Sequence, residues 1–298
     1  MSLTSFLKTP GIAARCAEFF PFEEQRFPWP TLAPRLSSNP QLIGTAFDYI
    51  VRFHLQKWSA PRKFAVEWIA ATGLSRLHDS VDFQTAKTCY ERAWERLERF
   101  QNGAPCDDDL LASSLHLAQL DEVFRGAKPG FKPSFKPSFQ SAVSPTDQAD
   151  LRGCTALLSP ARFRWEEALD CAFPPLLNPT FGIASALVGG ADADFCAANT
   201  LFEIKTVREA KITPFMHFQL LGYCALHELA SIGEEEPRRE LEEVAIYFSR
   251  FGRIARFKIG ALIRSPRFDD FLAWFAARAA EQFGNSPLLP HLRRLKND

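Results

Sequence analysis

Residues 190–205 read Gly190-Ala-Asp-Ala-Asp194-Phe-Cys-Ala-Ala-Asn199-Thr-Leu-Phe-Glu203-Ile-Lys205. From Thr200 to Val207 the side chains are mostly apolar or β-branched, which predicts a strand. Residues two apart on a strand share a face, so Glu203 and Lys205 point the same way. Their neighbours Leu201, Phe202, Ile204 and Val207 are apolar, so the strand is expected to be buried. A carboxylate and an ammonium there would cost several kcal/mol unless they are paired or bind a metal. Upstream, Val188–Cys196 predicts a short strand, and a turn at Ala197–Asn199 folds it back alongside. That places Asp194 beside Glu203. Two hard oxygen ligands and the main-chain carbonyl of Ile204 suit Mg²⁺ or Mn²⁺, and Lys205 could orient an attacking water or offset phosphate charge.

Outward from this hairpin, Thr213-Pro214 is a cap followed by proline, predicting a helix to about Ala230. Gln219 and Tyr223 lie four apart on one face of it, and Gly222 permits close backbone approach. Val244–Phe248 and Ile254–Ile259 predict a strand pair across Phe251-Gly252, and Pro266–Phe283 a last helix. On the N-terminal side, Asn39-Pro40 opens a helix running to about Trp58. From there to about Cys171 the chain reads almost wholly helical. Ala86, Cys89, Ala93, Trp94, Leu97 and Phe100 make one apolar stripe within Asp82–Gly103, and Asp107–Gly126 is a further helix. Prolines every fourth residue in the repeat Phe131-Lys-Pro-Ser-Phe135-Lys-Pro-Ser forbid a helix, so 128–145 reads as an exposed loop. The expected fold class is α/β with an α+β-like mixed sheet. Its expected parts are an N-terminal segment and first core helix (1–58), an all-helical insertion (59–171) and an α/β core (172–298).

Alone, a Glu-x-Lys triplet is expected about once by chance in a chain this size. Together, however, Asp194-Phe-Cys, Glu203-Ile-Lys205 and Gln219-Leu-Leu-Gly-Tyr223 resemble the motifs of the PD-(D/E)XK nuclease superfamily, in particular its RecB-like branch with a Q-x-x-x-Y helix. The motif-bearing match covers about Val188–Ala230. The resemblance implies a restriction-endonuclease-like core and a Mg²⁺- or Mn²⁺-dependent nuclease acting on nucleic acid, DNA foremost, in repair, recombination or defence against foreign DNA. It implies Asp194 and Glu203 as metal ligands, Lys205 as the catalytic lysine, and Gln219 and Tyr223 as active-site helix residues. Asp192 competes with Asp194 for the metal-ligand role, and Asp194 is preferred because two apolar residues follow it. Many relatives carry an acid or histidine on the first core helix. Here the candidate is Asp48, whose other reading is a surface pair with Arg52.

Composition bounds the rest. The 298 residues carry 35 Lys and Arg against 35 Asp and Glu, so a polybasic binder is excluded and any nucleic-acid contact is local. The 28 Phe point to a phenylalanine-rich core. Seven scattered cysteines give neither a disulfide framework nor zinc spacing, and no signal-peptide or membrane-spanning pattern is found, so a cytoplasmic protein is expected. The absence of a P-loop argues against an intrinsic motor, so a protein partner supplying motor or targeting is expected. Basic residues cluster late (Arg250, Arg253, Arg256, Lys258, Arg264, Arg267, Arg293, Arg294, Lys296), with Arg208 and Lys211 after the Glu203 strand. They are candidate phosphate contacts. His217 and His227 are assigned supporting or surface roles rather than ligation. A second function class is a silent nuclease-fold subunit that binds nucleic acid or protein without cutting. Truncating Lys205 is expected to leave stability unchanged or raised, by relieving the desolvation of its ammonium.

Overall fold

The computed structural model describes residues 2–60, 68–126, 139–171, 173–234 and 238–292. Helices α1 (Leu3–Leu7) and α2 (Pro10–Phe19) and the short strand β1 (Gln25–Arg26) precede α3 (Pro40–Trp58). The long helical stretch follows: α4 (Ile69–Ser75), α5 (Phe83–Gln101), α6 (Asp108–Gly126), α7 (Pro145–Thr155) and α8 (Trp165–Leu169). Next come β2 (Leu176–Leu177), α9 (Gly182–Leu187), β3 (Phe195–Ala197), β4 (Thr200–Lys205), β5 (Lys211–Ile212) and α10 (Pro214–Ala230). The chain closes with β6 (Glu243–Phe248), β7 (Arg253–Lys258), α11 (Gly260–Ile263) and α12 (Pro266–Phe283).

Local chemistry sets the helix ends. Asn39 accepts from the Leu42 amide ahead of α3, Thr213 from Met216 ahead of α10, and Ser265 from Phe268 ahead of α12. Each is a side-chain oxygen satisfying an amide that has no partner inside the helix. Proline follows each cap, where its missing N–H costs nothing.

Five strands form a mixed sheet in the order β2-β3-β4-β6-β7. β4 and β6 are parallel, with Leu201 opposite Val244 and Lys205 opposite Phe248, and the other neighbours are antiparallel. A parallel pair needs a crossover, and α10 supplies it. Strand alternation divides the core in two. Leu201, Val244, Ile246 and Phe248 face a layer containing α1, α2, α9, α10 and α12. Phe202, Ile204, Ala245 and Tyr247 face α3 and the helices from α4 to α8. Phenylalanine fills both layers: Phe195 stacks on Phe202 at 4.4 Å, and Phe163 meets both edge-on. Such pairs add about 1 kcal/mol each beyond the area they bury. Helices α4 and α6 cross so closely that a Cβ on Gly73 would stand 1.9 Å from the Leu120 carbonyl oxygen.

The expected strand at Val188–Cys196 is only Phe195–Ala197. Gly189 and Gly190 take φ of 72° and 118°, a left-handed path that turns the chain away from an extended course. What survives upstream is a single bridge between Thr180 and Asp192. The expected strand at Thr200–Val207 ends at Lys205. Trp94, placed on the apolar stripe of α5 by its spacing, instead lies partly exposed and stacks on Trp68 at 3.9 Å. The Lys-Pro-Ser repeat falls outside the described residues, except that Phe139 at its end is buried against His116. Among the described residues no helix is long and apolar enough to cross a membrane.

Candidate active site

The carboxyl end of β4 carries the site. β3 begins at Phe195, opposite Phe202, so from Glu203 onward β4 has no β3 residue paired to it. Asp194 sits just before β3, and its Oδ2 accepts from the Ile204 amide at 2.5 Å. A residue's amide and carbonyl leave a strand on the same edge, so the Ile204 carbonyl is presented to Asp194 as well.

On the face toward α10, Glu203 is the hub of a polar network. Its Oε1 accepts from Lys205 Nζ at 2.5 Å and from Gln219 Nε2 at 3.0 Å. The Gln219 Oε1 accepts from Lys205 at 3.2 Å, and Gln219 Nε2 also donates to the Tyr223 hydroxyl at 2.9 Å. In this orientation the amide uses both donors and its oxygen. The Tyr223 hydroxyl has one proton, poised between the Asp192 carbonyl at 3.0 Å and Glu203 Oε2 at 3.2 Å. Glu203, Gln219 and Tyr223 are buried, and Lys205 keeps a narrow solvent opening. The i to i+4 spacing on α10 and the two-residue repeat of β4 thus converge on one carboxylate. α10 also meets α1 closely: a Cβ on Gly222 would lie 3.0 Å from Leu3 Cδ1.

Asp48 arrives from the opposite layer. A Cβ on Gly44 of α3 would sit 4.0 Å from Thr206 Cβ, just beyond β4, and Asp48 follows one turn later. Burial pushes the Asp48 carboxyl up to about 7, Arg52 opposes this, and Glu203 adds to it. Burial likewise holds the Asp194 carboxyl well above the usual range, reinforced by Glu203 and Asp48. Burial disfavours the Lys205 ammonium, but the Glu203, Asp194 and Asp48 carboxylates outweigh it and raise its pKa. Three carboxylates therefore crowd one ammonium, and the protein must hold protons or a cation there. Asp48 does not form the surface pair with Arg52 that its helix spacing allowed. Arg52 donates to the Asp48 main-chain oxygen and lies over the Tyr49 ring.

Asp192 keeps its side chain exposed at the rim, yet surrounding protein and Glu203 raise its carboxyl. The structure thus sets Asp194, not Asp192, directly against β4. Among the described residues no group of three His, Cys, Asp or Glu side chains stands preassembled as a metal cage. The donor types present, carboxylates and a carbonyl in surplus over positive charge, nevertheless fit a hard divalent cation.

Two participants, Asp121 and Arg125, are not singled out by the sequence. Asp121 on α6 is buried and accepts from the Tyr49 hydroxyl at 2.7 Å, while Arg52 and Arg125 oppose the raised pKa of Asp48, Asp121 and Asp192. The available signal is helical spacing: Asp121 shares a face of α6 with Leu117, Ala118 and Phe124. Of the two histidines, His227 is buried and accepts from the Ile232 amide, whereas His217 is half-buried and stacks on Phe22 at 4.2 Å. The late basic residues do not form one surface. Arg250 is buried against Asp150, Arg256 pairs with Glu243, Lys211 pairs with Glu24 and Glu209, and Arg267 donates to the Glu18 carbonyl. Arg293, Arg294 and Lys296 lie outside the described residues.

No protein-family model matches this chain, and no curated protein or solved structure matches it significantly.

Proposed function

We propose that this chain is a metal-dependent nuclease with a restriction-endonuclease-like core, hydrolysing phosphodiester bonds of nucleic acid, DNA foremost. The observation that carries the reading is the network centred on Glu203: Lys205, Gln219 and Tyr223 bonded to it, with Glu203 helping to raise the carboxyls of both Asp194 and Asp48, and Asp48 adding to the rise at Asp194. Asp194, Glu203, the Ile204 carbonyl and Asp48 are the groups that would hold Mg²⁺ or Mn²⁺. A bound divalent ion supplies Lewis-acid polarisation of the phosphate and a lowered pKa for water. The chain's own part is positioning and electrostatics. Gln219 holds Glu203 and Lys205 in register through both ends of its amide. Tyr223 braces Glu203 against the Asp192 main chain. Lys205, kept charged by three carboxylates, places a fixed positive charge where a phosphate oxygen or attacking water would lie, inside a site largely shielded from solvent.

The test is cleavage by the purified full chain on single- and double-stranded DNA and RNA, with Mg²⁺ or Mn²⁺ and with EDTA. Metal-supported cleavage that EDTA and Glu203→Gln both abolish is expected. No cleavage of any substrate in either metal, or equal cleavage by Glu203→Gln, overturns it. Retained binding without cleavage would leave the silent-subunit reading in its place.

A further inference from the structure

A pocket of about 500 Å³ opens beside the candidate site, lined by Thr31, Pro34, Arg35, Ser37, Arg208 and Arg250. Arg208 follows β4 by three residues, and Arg250 follows β6 by two. The pocket therefore lies outside the carboxyl ends of the parallel pair, the usual place for ligands in sheets of this kind. The hydroxyls of Ser249 and Thr206 join the two chain segments there at 2.9 Å.

The charge of this pocket is unbalanced. Arg250 is fully buried and bonded to Asp150, and its Nε–H has no hydrogen-bond partner among the described residues. Among the described residues Arg35 donates only to the main-chain oxygens of Ser37 and Ser38. Among the described residues no carboxylate pairs with Arg35 or Arg208, and both are exposed. The nearest acid in sequence, Glu209, is engaged with Arg26 and Lys211. The Ser37 hydroxyl is committed to Asp147 and the Asn39 amide. Two guanidinium groups without a carboxylate partner, beside the Thr31 hydroxyl, make a site for a multiply charged oxyanion, since arginine's planar fork matches phosphate oxygens.

Helix α3 links this pocket to the carboxylates. Arg35 and Ser37 stand just before its cap, and Asp48 lies eight residues beyond Pro40, about 12 Å along the axis. A strand rising about 3.4 Å per nucleotide would span that interval in a few nucleotides.

We propose that the Arg35–Arg208 pocket binds the sugar–phosphate backbone of a nucleic-acid strand a few nucleotides from the linkage presented to Lys205. The direction of that strand rests on the nuclease reading, whereas the pocket's affinity for the backbone does not. Backbone contacts of this kind hold register and carry no base preference.

The experiment is fluorescence anisotropy of labelled single-stranded DNA and RNA oligonucleotides of about ten nucleotides, within the span of a small binding groove. It is run in EDTA so that nothing is cut, across a salt series. Arg35→Gln combined with Arg208→Gln is expected to weaken binding roughly tenfold or more. It should also lower the salt slope by about 1.4, some 0.7 for each single-strand phosphate that is no longer neutralised. Arg208→Gln alone, which breaks no bond to the main chain, should lower the slope by about 0.7 with the melting temperature unchanged. Unchanged affinity and slope in the double variant, or no binding by the wild-type chain, overturns the proposal. The two readings fail separately. Wild-type protein that never cuts, yet loses binding in the double variant, removes the nuclease and keeps the pocket. Protein that cuts with metal while the double variant binds normally does the reverse.

Discussion

Lys205 decides whether the chemistry at β4 is catalytic or structural. From sequence, its removal looked neutral or favourable, because a buried ammonium is costly. The structure reverses that expectation. The ammonium bonds to Glu203 and Gln219 and faces two further carboxylates, and its pKa is raised. A raised pKa on a lysine means that its charge stabilises the fold below about 10.5, the stability being lost only as pH rises through the folded value. Lys205→Ala is therefore expected to lower stability of the metal-free protein at neutral pH by about 2–4 kcal/mol. That is slightly less than the usual cost of orphaning a buried charge, because Asp194 and Asp48 can take up protons. Turnover should fall by a factor of about 100 or more, the scale of losing one preorganised electrostatic group. Thermal unfolding and single-turnover cleavage measure the two. A variant that cuts at the wild-type rate removes Lys205 from the mechanism, and one that unfolds no more easily removes it from the ion network.

At the scale of elements, helix α10 joins site and fold, and its C-terminal end gives a pH signature. His227 is buried, its Nδ1 accepts from the Ile232 amide, and burial with Arg238 and then Arg239 opposing a positive charge lowers its pKa to about 3. The folded protein thus keeps this ring neutral where the unfolded chain, near 6.5, is protonated. Stability from His227 is complete above about 6.5 and is lost as pH falls toward 3. His54 and His217, each lowered to about 4 by burial, act in the same direction. His227→Asn keeps an acceptor near Nδ1 but does not titrate, so its melting temperature should fall less between pH 7 and 4 than that of the wild type. An identical fall in both proteins would clear His227. Much of this scale was legible beforehand. The caps and prolines at Asn39-Pro40 and Thr213-Pro214, and Pro266 at the last helix, mark three helices to within a residue, and alternation with Phe251-Gly252 marks the β6–β7 pair. The Glu203–Lys205 face and the Gln219–Tyr223 spacing made the network foreseeable, because each follows from the period of its own element. Arg52 follows from its i to i+4 spacing to Asp48, but Asp121, Arg125 and Arg35 were not foreseeable as neighbours, because their proximity comes from how α3, α6 and the 31–37 segment pack, and no local period encodes that. At the two ends of the expected Val188–Cys196 strand, Val188 and Phe195-Cys196 favour a strand, but Gly189-Gly190 and the Ala191–Asp194 run between them do not, and the backbone angles of the glycines show the reversal.

Across the whole molecule, one buried ion pair holds the parts that must stay in register. Asp150 on α7 accepts from Arg250 at 2.6 and 3.2 Å, and from the amides of Leu36 and Ser37 at 2.9 and 2.8 Å. Arg250 in turn accepts at its carbonyl from the Leu32 and Ala33 amides. These polar links tie together the helical layer, the segment before α3 and the turn after β6. Both side chains are fully buried, so their mutual attraction has to offset two desolvation costs, and the net value of the pair is small. Losing one partner is a different matter. Asp150→Ala strands a guanidinium and two amides, and is expected to cost about 3–5 kcal/mol. Asp150→Leu combined with Arg250→Met removes both charges and should recover part of that loss, the Leu36 and Ser37 amides remaining unpaired. Urea unfolding of the three proteins checks this, and a single variant costing under about 1 kcal/mol would show that the pair holds nothing together. The same pair secures the 31–37 segment that carries Arg35. Asp150→Ala should therefore weaken oligonucleotide binding and stability together, whereas Arg208→Gln, on the exposed side of the pocket, should weaken binding alone. If Asp150→Ala lost stability but bound oligonucleotide as tightly as the wild type, the segment would be positioned by something other than this pair, and Arg35 would owe its place to α3.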